Sequence, residues 1–307
     1  MPKKAESQIN AATRFCAVYG HPVIHSASPA MQNAGIAALN LNWRYLAFEV
    51  HPQNLREAIA GAKAMKFIGL NLTVPHKLLA LEMCDVLDTS AKMWGAVNTI
   101  RFEGKSKNGE WIPLTEIPAA EISEIRSHGF NTDADAITQS LPEDLKIELR
   151  GAKVLLLGAG GAGRVAALKL AVENISEIFL INRTVQKAEE IASEIRERFP
   201  TVKVETGYPK SSVDLLLNAT SLGLKESDAS PLDEKRFSFS QTRAVYDMIY
   251  RPAETPLLRN AKNAGCKTAN GIGMLLYQGA KALELWSGKK APIEIMRKAL
   301  EKNVYAK

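Results

Sequence analysis

The sequence is poor in cysteine and in long apolar runs, and each shortage excludes a class of protein. Its three cysteines, Cys16, Cys84 and Cys266, lie far apart and form no C-x-x-C pair. This usage is unlike a disulfide-stabilised secreted domain or a structural zinc site, and it favours a reducing compartment. No run of about 18 apolar residues occurs, so the sequence offers no candidate membrane-spanning helix. A cytoplasmic location without membrane association is therefore expected.

Histidine is also scarce, with five in 307 residues. None belongs to an H-E-x-x-H or comparable ligand pattern, so no metal is expected. Ser26 and Ser28 lie outside any G-x-S-x-G motif, which argues against a hydrolase nucleophile, and the neighbouring His25 is given no catalytic role. Residues 1–13 are polar, lack the apolar segment of a signal peptide, and are expected to form a short extension.

The balance of charges is mildly basic, with a formal net charge of +6. No basic tract is longer than the pairs Lys3-Lys4 and Lys289-Lys290, so a nucleic-acid partner is not expected. An anionic substrate and a phosphorylated cofactor account for such a charge. With 46% hydrophobic residues, the 307-residue chain is long enough for two domains with their own cores.

A glycine-rich loop is the first pattern that indicates a function. The apolar residues 154–157 run into Gly158-Ala159-Gly160-Gly161-Ala162-Gly163 and then into an alanine-rich segment of helical character. This order is typical of the Rossmann βα turn, where glycines permit a tight turn, backbone approach to a pyrophosphate, and close packing of helix on strand. The helix N-terminus offers N–H groups to phosphate. Dinucleotide binding is predicted, the alternative being a glycine-rich turn in another α/β protein.

The next strand ends in residues that favour NADP over NAD. An NAD-preferring site usually has Asp or Glu here, which binds the ribose 2'-hydroxyl and repels a 2'-phosphate. This sequence instead has Asn182, followed by Arg183, Thr184 and, one turn later, Lys187. The planar guanidinium of Arg183 suits a phosphate. NADP is the predicted cofactor, unless Arg183 and Lys187 are only the solvated start of a helix.

Polar residues also cluster in four short segments upstream of the glycine loop. The segment Asn71-Leu-Thr-Val-Pro-His-Lys77 combines an amide, a hydroxyl and an ammonium, which suits a small, hydroxylated, anionic ligand. A strand end with a surface lysine is the simpler alternative. The other segments are His25-Ser-Ala-Ser-Pro29, Ala96-Val-Asn-Thr99 and Phe130-Asn-Thr-Asp133. Together they indicate a polar binding site.

With these motifs in this order, the chain resembles the shikimate dehydrogenase family along nearly its whole length. Further matching motifs lie downstream: Asn218-Ala-Thr-Ser221, Asp247-Met-Ile-Tyr250 and Gly271-x-Gly-Met274-x-x-x-Gln278. The resemblance implies an oxidoreductase that reversibly reduces 3-dehydroshikimate to shikimate with NADPH, in chorismate and aromatic amino acid biosynthesis. It also implies a monomer or a homodimer.

The resemblance further implies a role for each matching residue. Lys77 and Asp133 are the predicted catalytic pair. The predicted substrate-binding residues are Ser26 and Ser28, on the carboxylate, and Asn71, Thr73, Lys77, Asn98, Asp133, Tyr250 and Gln278. The predicted cofactor-binding residues are Gly158, Ala159, Gly160, Gly161, Ala162, Asn182, Arg183, Thr184, Lys187, Thr220, Met248, Gly271 and Met274.

Lys77 is expected to act mainly as an acid and electrostatic stabiliser in the reductive direction. An unperturbed lysine titrates near ~10.4, too high for an efficient base at neutral pH. A neighbouring Asp133 would stabilise the ammonium form further. Loss of Lys77 should therefore affect kcat more than KM, because its interaction grows as charge develops on the substrate oxygen.

Three places depart from the family pattern. After Asn131-Thr-Asp133 the family commonly has a glycine, whereas this chain has Ala134 followed by a second carboxylate, Asp135. Asp135 is expected to point to solvent from a helix start. The stretch 101–128 is longer than the usual hairpin; Gly104, Asn108 and Gly109 predict turns, and residues 121–126 predict a helical turn or two. Lys187 replaces a frequent Arg, which would soften the NADP preference because bidentate geometry is lost.

The order of predicted elements gives a two-domain α/β architecture. Strand-like runs at 15–19, 43–50 and 69–74 alternate with helical runs at 29–39 and 52–66. The predicted domains are a discontinuous α/β substrate domain, residues 1–130 plus 271–307, and a Rossmann NADP-binding domain, residues 131–270. The family resemblance implies that the helical tail completes the first domain and that the site lies in the cleft between the two domains.

Alternatives remain open at this point. A quinate or aminoshikimate dehydrogenase would keep most of these motifs, although a quinate enzyme often has an acidic residue after the second cofactor strand. A binding or regulatory homologue would not need both Lys77 and Asp133. A folate-type dehydrogenase shares the two-domain plan, but Ser26 and Ser28 argue against it.

Overall fold

A computed structural model describes residues 9–225 and 227–305, and part of the extension predicted at 1–13 lies outside them. The chain divides into two compact units. The first takes in the chain up to Thr132 together with Gln278–Asn303, and the second takes in Asp133–Tyr277 and the residues from Val304. The functional domain boundaries predicted at 130/131 and 270/271 remain a prediction.

The first unit is built on a seven-stranded mixed sheet with the order β2-β1-β3-β5-β7-β4, and β6 pairs with β5. Its strands are β1 (Arg14–Gly20), β2 (Trp43–Glu49), β3 (Gly69–Leu72), β4 (Val86–Leu87), β5 (Thr99–Lys105), β6 (Trp111–Pro113) and β7 (Ile125–Phe130). Its helices are α1 (Ser28–Ala38), α2 (Leu55–Ala64), α3 (His76–Leu79) and α4 (Thr89–Trp94). The α/β alternation predicted for residues 15–74 is confirmed.

The second unit contains a six-stranded parallel sheet. Its elements are α5 (Asp133–Leu145), β8 (Lys153–Leu157), α6 (Gly161–Val172), β9 (Glu177–Ile181), α7 (Val185–Arg198), β10 (Lys203–Thr206), β11 (Val213–Asn218), β12 (Thr242–Asp247), α8 (Pro256–Asn263) and β13 (Lys267–Asn270). Helix α9 (Ile272–Ser287) begins in this unit, and from Gln278 onward it belongs to the first. The strand order is β10-β9-β8-β11-β12-β13. This is the doubly wound Rossmann order, in which the connection reverses direction next to β8. The inner strands β8, β9 and β11 are mainly apolar because helices cover both faces of such a sheet, whereas the edge strands β10 and β13 are more polar.

The predicted helical tail is confirmed as α9 and α10 (Ile293–Tyr305). Within the first unit, the fully buried Trp286 near the end of α9 donates from Nε1 to the Ile100 carbonyl at 3.0 Å. It packs so closely on the sheet that a Cβ added to Gly69 would lie 2.1 Å from that nitrogen. Trp286 therefore fastens the C-terminal part of α9 to strands β3 and β5.

Trp286→Ala should lower the free energy of unfolding by about 3–5 kcal/mol, because it leaves a large cavity and removes the partner of a buried carbonyl. Trp111→Ala is the matched control, since Trp111 in β6 is only partly buried. Urea unfolding followed by far-UV circular dichroism measures both. Equal destabilisation by the two variants would contradict this role for Trp286.

The stretch 101–128 differs from its prediction. A turn at Asn108 and Gly109 is confirmed, but Gly104 lies inside β5, where it pairs with Ile112 on one side and Ile125 on the other. The helix predicted at 121–126 is wrong, since only the 3-10 turn Ala119–Glu121 forms before β7 begins at Ile125. Pairing of β7 with β5 satisfies the backbone there, and this long-range pairing overrides local preference.

Buried charges add to the β5–β7 pairing. The carboxylate of Glu103 is 1% exposed and accepts hydrogen bonds from Arg101 and Arg126, while His128 Nδ1 lies 3.0 Å from it. Burial alone would raise the pKa of Glu103, but the hydrogen bonds from His128, Arg101 and Arg126 outweigh it and lower this pKa to about 2. The carboxylate is thus held ionised by its partners.

The Glu103 cluster should make stability fall in acid. Because the folded pKa is about 2 and the ordinary value is 4.5, the contribution is present above pH 4.5 and is lost as pH falls toward 2. It should be on the order of 3 kcal/mol at neutral pH. The difference in urea midpoint between wild type and Glu103→Gln should therefore shrink from pH 7 to pH 3. A difference that does not change with pH would refute the assignment.

No helix in residues 9–225 or 227–305 has both the length and the apolar character needed to cross a membrane.

Candidate functional site

The glycine loop of the second unit adopts the predicted βα turn. Gly158 follows β8 with a φ of +105°, a conformation that disfavours any residue with a Cβ. An added Cβ would also lie 3.0 Å from the Ala219 carbonyl oxygen. A Cβ on Gly163 would lie 2.0 Å from the Gly158 oxygen, so α6 can pack on this turn only with glycine there. The turn depends on both residues.

The opposite side of the turn is open. Gly160 and Gly161 would meet no atom within 4 Å if they carried a Cβ, and Gly160, Gly161 and Ala162 are exposed at the first turn of α6. The unpaired N–H groups at a helix start attract anions. This space and its donors fit a pyrophosphate.

A cavity of about 660 Å³ extends from this turn over the ends of the neighbouring strands of the second unit. It brings together predicted cofactor residues: Gly158, Gly160, Asn182, Arg183, Thr184, Lys187 and Thr220. Residues that were not predicted also line it: Leu157, Ile181, Tyr208, Ala219, Ser221, Leu222, Pro231, Asp233 and Arg236. The basic groups in its lining suit a phosphate.

Asn182 ties the glycine loop to the end of β9. Its Oδ1 accepts from the Ala159 N–H at 3.0 Å, and its Nδ2 donates to the Thr184 carbonyl at 2.9 Å. The amide therefore has a bracing function that an aspartate could not fill, because a carboxylate has no donor for the Thr184 carbonyl. The same residue, Asn182, therefore braces the glycine loop and leaves the end of β9 without an acidic side chain.

Thr220 is held by a buried polar network that was not predicted as functional. Its N–H and its hydroxyl both donate to Asn218 Oδ1, at 3.0 and 2.8 Å. Asn218 Nδ2 in turn donates to Asp247 Oδ1 at 2.9 Å, and Thr255 donates to the other oxygen at 2.7 Å. Burial raises the pKa of Asp247 despite these hydrogen bonds. Polar residues at the carboxyl ends of two adjacent strands, β11 and β12, were the available sequence signal.

The other predicted cofactor residues form a second group in this unit. A Cβ on Gly271 would lie 2.1 Å from the Met248 carbonyl oxygen, so these two segments touch through their backbones. The Met274 N–H donates to the hydroxyl of Tyr246 at 3.3 Å, which positions the start of α9. Met248, Met274 and Tyr250 are half-buried. None of them lines the 660 Å³ cavity.

In the first unit, the carboxyl end of β3 meets the start of β5 in a buried amide network. Asn71 Oδ1 accepts from the Tyr45 hydroxyl at 2.7 Å, and its Nδ2 donates to Thr99 Oγ1 at 3.0 Å. Asn98 Oδ1 accepts from the Thr132 N–H at 2.8 Å. Tyr45 was not predicted and no local pattern marks it, whereas Thr132 lies in the polar segment 130–133 but was given no role. The network fixes the orientation of both predicted substrate amides.

Gln278 joins the same network through its backbone. Its carbonyl accepts from the Thr132 hydroxyl at 3.1 Å, and the residue is 9% exposed. The following residue, Gly279, accepts from Gln32 Nε2 at 2.8 Å. The structure thus connects Asn71, Asn98 and the Gln278 backbone in one network, although they are far apart in sequence; their role in substrate binding remains a prediction.

Ser26 and Ser28 lie at the N-terminus of α1. Ser28 is buried, and its N–H donates to Ser26 Oγ at 3.3 Å. The N-cap residue of this helix, Ala27, provides no side-chain acceptor for its first N–H groups. A carboxylate is a suitable partner for a helix start of this kind.

Lys77 is the second residue of α3 and is half-buried. Its carbonyl accepts from the Val97 N–H at 2.9 Å, which ties α3 to the segment that carries Asn98. The preceding His76 is fully buried, and burial lowers its pKa. Thr73 packs so tightly that a Cβ on Gly20 would lie 2.4 Å from its Cγ2.

In the second unit, Asp133 is the first residue of α5 and is 6% exposed. The neighbouring Asp135 has a 77% exposed side chain, and its carboxylate lies 3.0 Å from Lys169 Nζ. The expectation that Asp135 points to solvent is confirmed. No group of three or more His, Cys, Asp or Glu in the described part of the chain is arranged to hold a metal ion.

These features are those of a Rossmann-type, dinucleotide-binding oxidoreductase. Three family profiles match the chain: the shikimate dehydrogenase substrate binding domain at residues 18–100, shikimate/quinate 5-dehydrogenase at 140–221, and the shikimate 5'-dehydrogenase C-terminal domain at 271–301. A shikimate dehydrogenase (NADP+) of Methanopyrus kandleri is 39% identical over 95% of this chain and 96% of the relative. The chain belongs to the shikimate/quinate dehydrogenase family.

Solved structures agree with this assignment. A shikimate dehydrogenase in complex with NADP+ matches with a TM-score of 0.82 and 35% identity, covering 98% of this chain and 99% of the other. The ligand-free 5-ketofructose reductase of Gluconobacter sp. strain CHM43 matches with a TM-score of 0.76 and 30% identity, covering 95% and 99%. Proteins named for different substrates therefore share this architecture.

Proposed function

We propose that this protein is an NADP-dependent shikimate dehydrogenase, which reversibly reduces 3-dehydroshikimate to shikimate in chorismate and aromatic amino acid biosynthesis. The observation that carries the cofactor choice is the basic cavity beside β9, where Arg183 and Lys187 lie next to Asn182 instead of an acidic residue. An acidic residue there would repel the 2'-phosphate of NADP. The cofactor is thus NADP, matching the names of the relatives.

The substrate assignment rests on the polar network of the first unit. Shikimate presents one carboxylate and several ring hydroxyls. This unit offers two serines at a helix start, two side-chain amides held by Tyr45, Thr99 and Thr132, and Gln278, whose backbone carbonyl accepts from the Thr132 hydroxyl. We assign the carboxylate to Ser26 and Ser28. The ring hydroxyls are assigned to Asn71, Thr73, Asn98 and Gln278. The roles predicted for Asp133 and Tyr250 remain part of this proposal.

The chemistry requires two transfers to the same carbonyl group. When bound, NADPH supplies the hydride for the carbonyl carbon. The chain must supply the proton for the oxygen, and we assign this role to the ammonium of Lys77. A positive group aimed at that oxygen stabilises the charge that develops there, which is a large contribution when the group is held in place beforehand. The hydrogen bond from the Val97 N–H to the Lys77 carbonyl supports that rigidity.

A second substrate class deserves a direct comparison. Quinate and 5-ketofructose are the alternatives named by the family profile and by the Gluconobacter structure. Steady-state oxidation of shikimate and of quinate, each with NADP and with NAD, and reduction of 5-ketofructose with NADPH, can be followed by nicotinamide absorbance. We expect the highest kcat/KM for shikimate with NADP. Comparable quinate or NAD rates would indicate a broader quinate/shikimate enzyme, and no shikimate turnover would overturn the proposal.

Cytoplasmic location and a monomeric or homodimeric state complete the proposal. Cys16, Cys84 and Cys266 are all free thiols, as expected in a reducing compartment. Light scattering of the purified protein measures the oligomeric state. A mass above that of a dimer would contradict this part of the proposal.

A further inference from the structure

The lining of the nucleotide cavity includes one cation that the family motif does not include. Arg236 lies in the connection between β11 and β12, and it lines the same cavity as Arg183 and Lys187. It is separated from them by about fifty positions in the sequence. The fold of the second unit alone brings the three side chains to one cavity.

Arg236 is held by an aromatic support. Its guanidinium carbon lies 4.8 Å from the centre of the Tyr208 ring, which stacks on Phe237 with an angle of 17° between the ring planes. Phe237 is 1% exposed and belongs to the core of the second unit. The Tyr208 hydroxyl accepts from the Asp233 N–H at 3.0 Å, which fixes the ring edge as well. Although Arg236 is exposed, this contact favours one position of its guanidinium before any ligand binds, so less side-chain entropy is lost on binding.

Other stacked arginines in the molecule differ in their partners. Arg101 and Arg126 also lie over aromatic rings, but both are paired with the buried carboxylate of Glu103. Within residues 9–225 and 227–305, Arg236 has no such carboxylate. Its five donors are not occupied by an acidic partner there, so they suit an anionic ligand.

The net positive charge of the cavity lining also favours an anionic ligand. Its lining includes three cationic residues, Arg183, Lys187 and Arg236, and one acidic residue, Asp233. The carboxylate of Asp233 serves the local turn, because its Oδ1 accepts from the Lys235 N–H at 3.1 Å. The remaining excess of positive charge matches a phosphate, which carries about −1.5 to −2 at neutral pH.

We propose that Arg236, held by Tyr208, is a third recognition residue for the phosphate on the adenosine ribose of NADP, and so determines cofactor specificity together with Arg183. This inference rests on the proposed use of NADP. It also accounts for Lys187, the position where the family often has arginine: Arg236 supplies the second planar guanidinium from another part of the chain. The softened NADP preference expected from Lys187 is thereby offset.

The test uses cofactor fragments, so that catalysis plays no part in the readout. Adenosine 2',5'-bisphosphate carries the 2'-phosphate and adenosine 5'-monophosphate lacks it. Isothermal titration of both fragments into the full-length protein should show that wild type prefers the bisphosphate. Arg236→Ala should weaken bisphosphate binding by roughly 10-fold or more, with less than a two-fold effect on the monophosphate. Arg236→Lys should lie between Arg236→Ala and wild type.

Lys235→Ala is the matched control, because it removes a neighbouring surface charge that does not line the cavity. It should leave both affinities unchanged. Tyr208→Leu removes the ring under Arg236 and should reduce bisphosphate affinity in the same direction as Arg236→Ala. Unfolding temperatures of all variants check that the fold is intact.

Three other titration results would overturn the inference, and each has a different meaning. Equal losses for both fragments would mean that Arg236 contacts the base or ribose instead of the phosphate. No loss for Arg236→Ala would remove it from the site while leaving NADP use intact. A wild-type protein without any preference for the bisphosphate would overturn the NADP assignment itself, and the inference with it.

Discussion

Replacing Lys77 with alanine should lower kcat for shikimate oxidation by about 10²- to 10⁴-fold. The proposed role of this ammonium is to exchange the proton of the reacting oxygen and to stabilise the charge that develops there. Such an interaction is stronger in the transition state than in the ground state, so its loss appears in kcat more than in KM. Steady-state kinetics with NADP and shikimate measure both constants.

Two further variants separate this role from a structural one. Lys77→Met keeps much of the side-chain volume and should be as inactive as the alanine variant, whereas Lys92→Ala removes an exposed lysine of α4 and should be unaffected. Binding of adenosine 2',5'-bisphosphate should be unchanged in all three, because its proposed contacts lie in the second unit. Near-normal turnover of Lys77→Ala would eliminate the assignment.

Replacing Arg183 with alanine should raise the KM for NADP by roughly 10- to 100-fold, while the KM for NAD changes by less than about three-fold. The reason is that a bidentate guanidinium–phosphate contact is possible only when the 2'-phosphate is present. Kinetics at saturating shikimate with each cofactor provide the comparison. Raising the ionic strength should weaken NADP binding more in wild type than in the variant, since an exposed charge pair is screened by salt.

Lys203→Ala serves as the control for Arg183, because Lys203 is an exposed residue of β10 outside the cavity. Arg183→Lys keeps the positive charge but loses the bidentate guanidinium geometry, so its KM for NADP should lie between those of wild type and Arg183→Ala. If Arg183→Ala raised both Michaelis constants equally, Arg183 would be contacting the adenine or ribose, and the phosphate assignment would fail.

The double variant Arg183→Ala/Arg236→Ala then reports whether the two arginines act on one group, because coupled residues give non-additive effects.

Elements with strong local signals were predictable. The glycine turn at Gly158 and the α/β alternation of residues 15–74 follow from residue spacing, because each pattern depends on neighbours within a few positions. The helical turn predicted at 121–126 was wrong because a strand pair with β5 and the buried Glu103 decide that region. The local helix preference of six residues is weak compared with such long-range strand pairing.

The candidate site likewise contains residues that local patterns predict and residues that only long-range packing brings together. The sequence is enough to name candidate residues, whose roles remain predictions: the amides at 71 and 98, the lysine at 77, the glycine turn, and Asn182 in place of an acidic residue. These lie in contiguous motifs whose meaning needs no partner from elsewhere. Their supporting residues depend on the fold, because Tyr45, Thr132, Asp247, Tyr208 and Arg236 reach their places through strand order and core packing. Sheet topology brings distant residues together, and no local pattern in the sequence encodes that proximity.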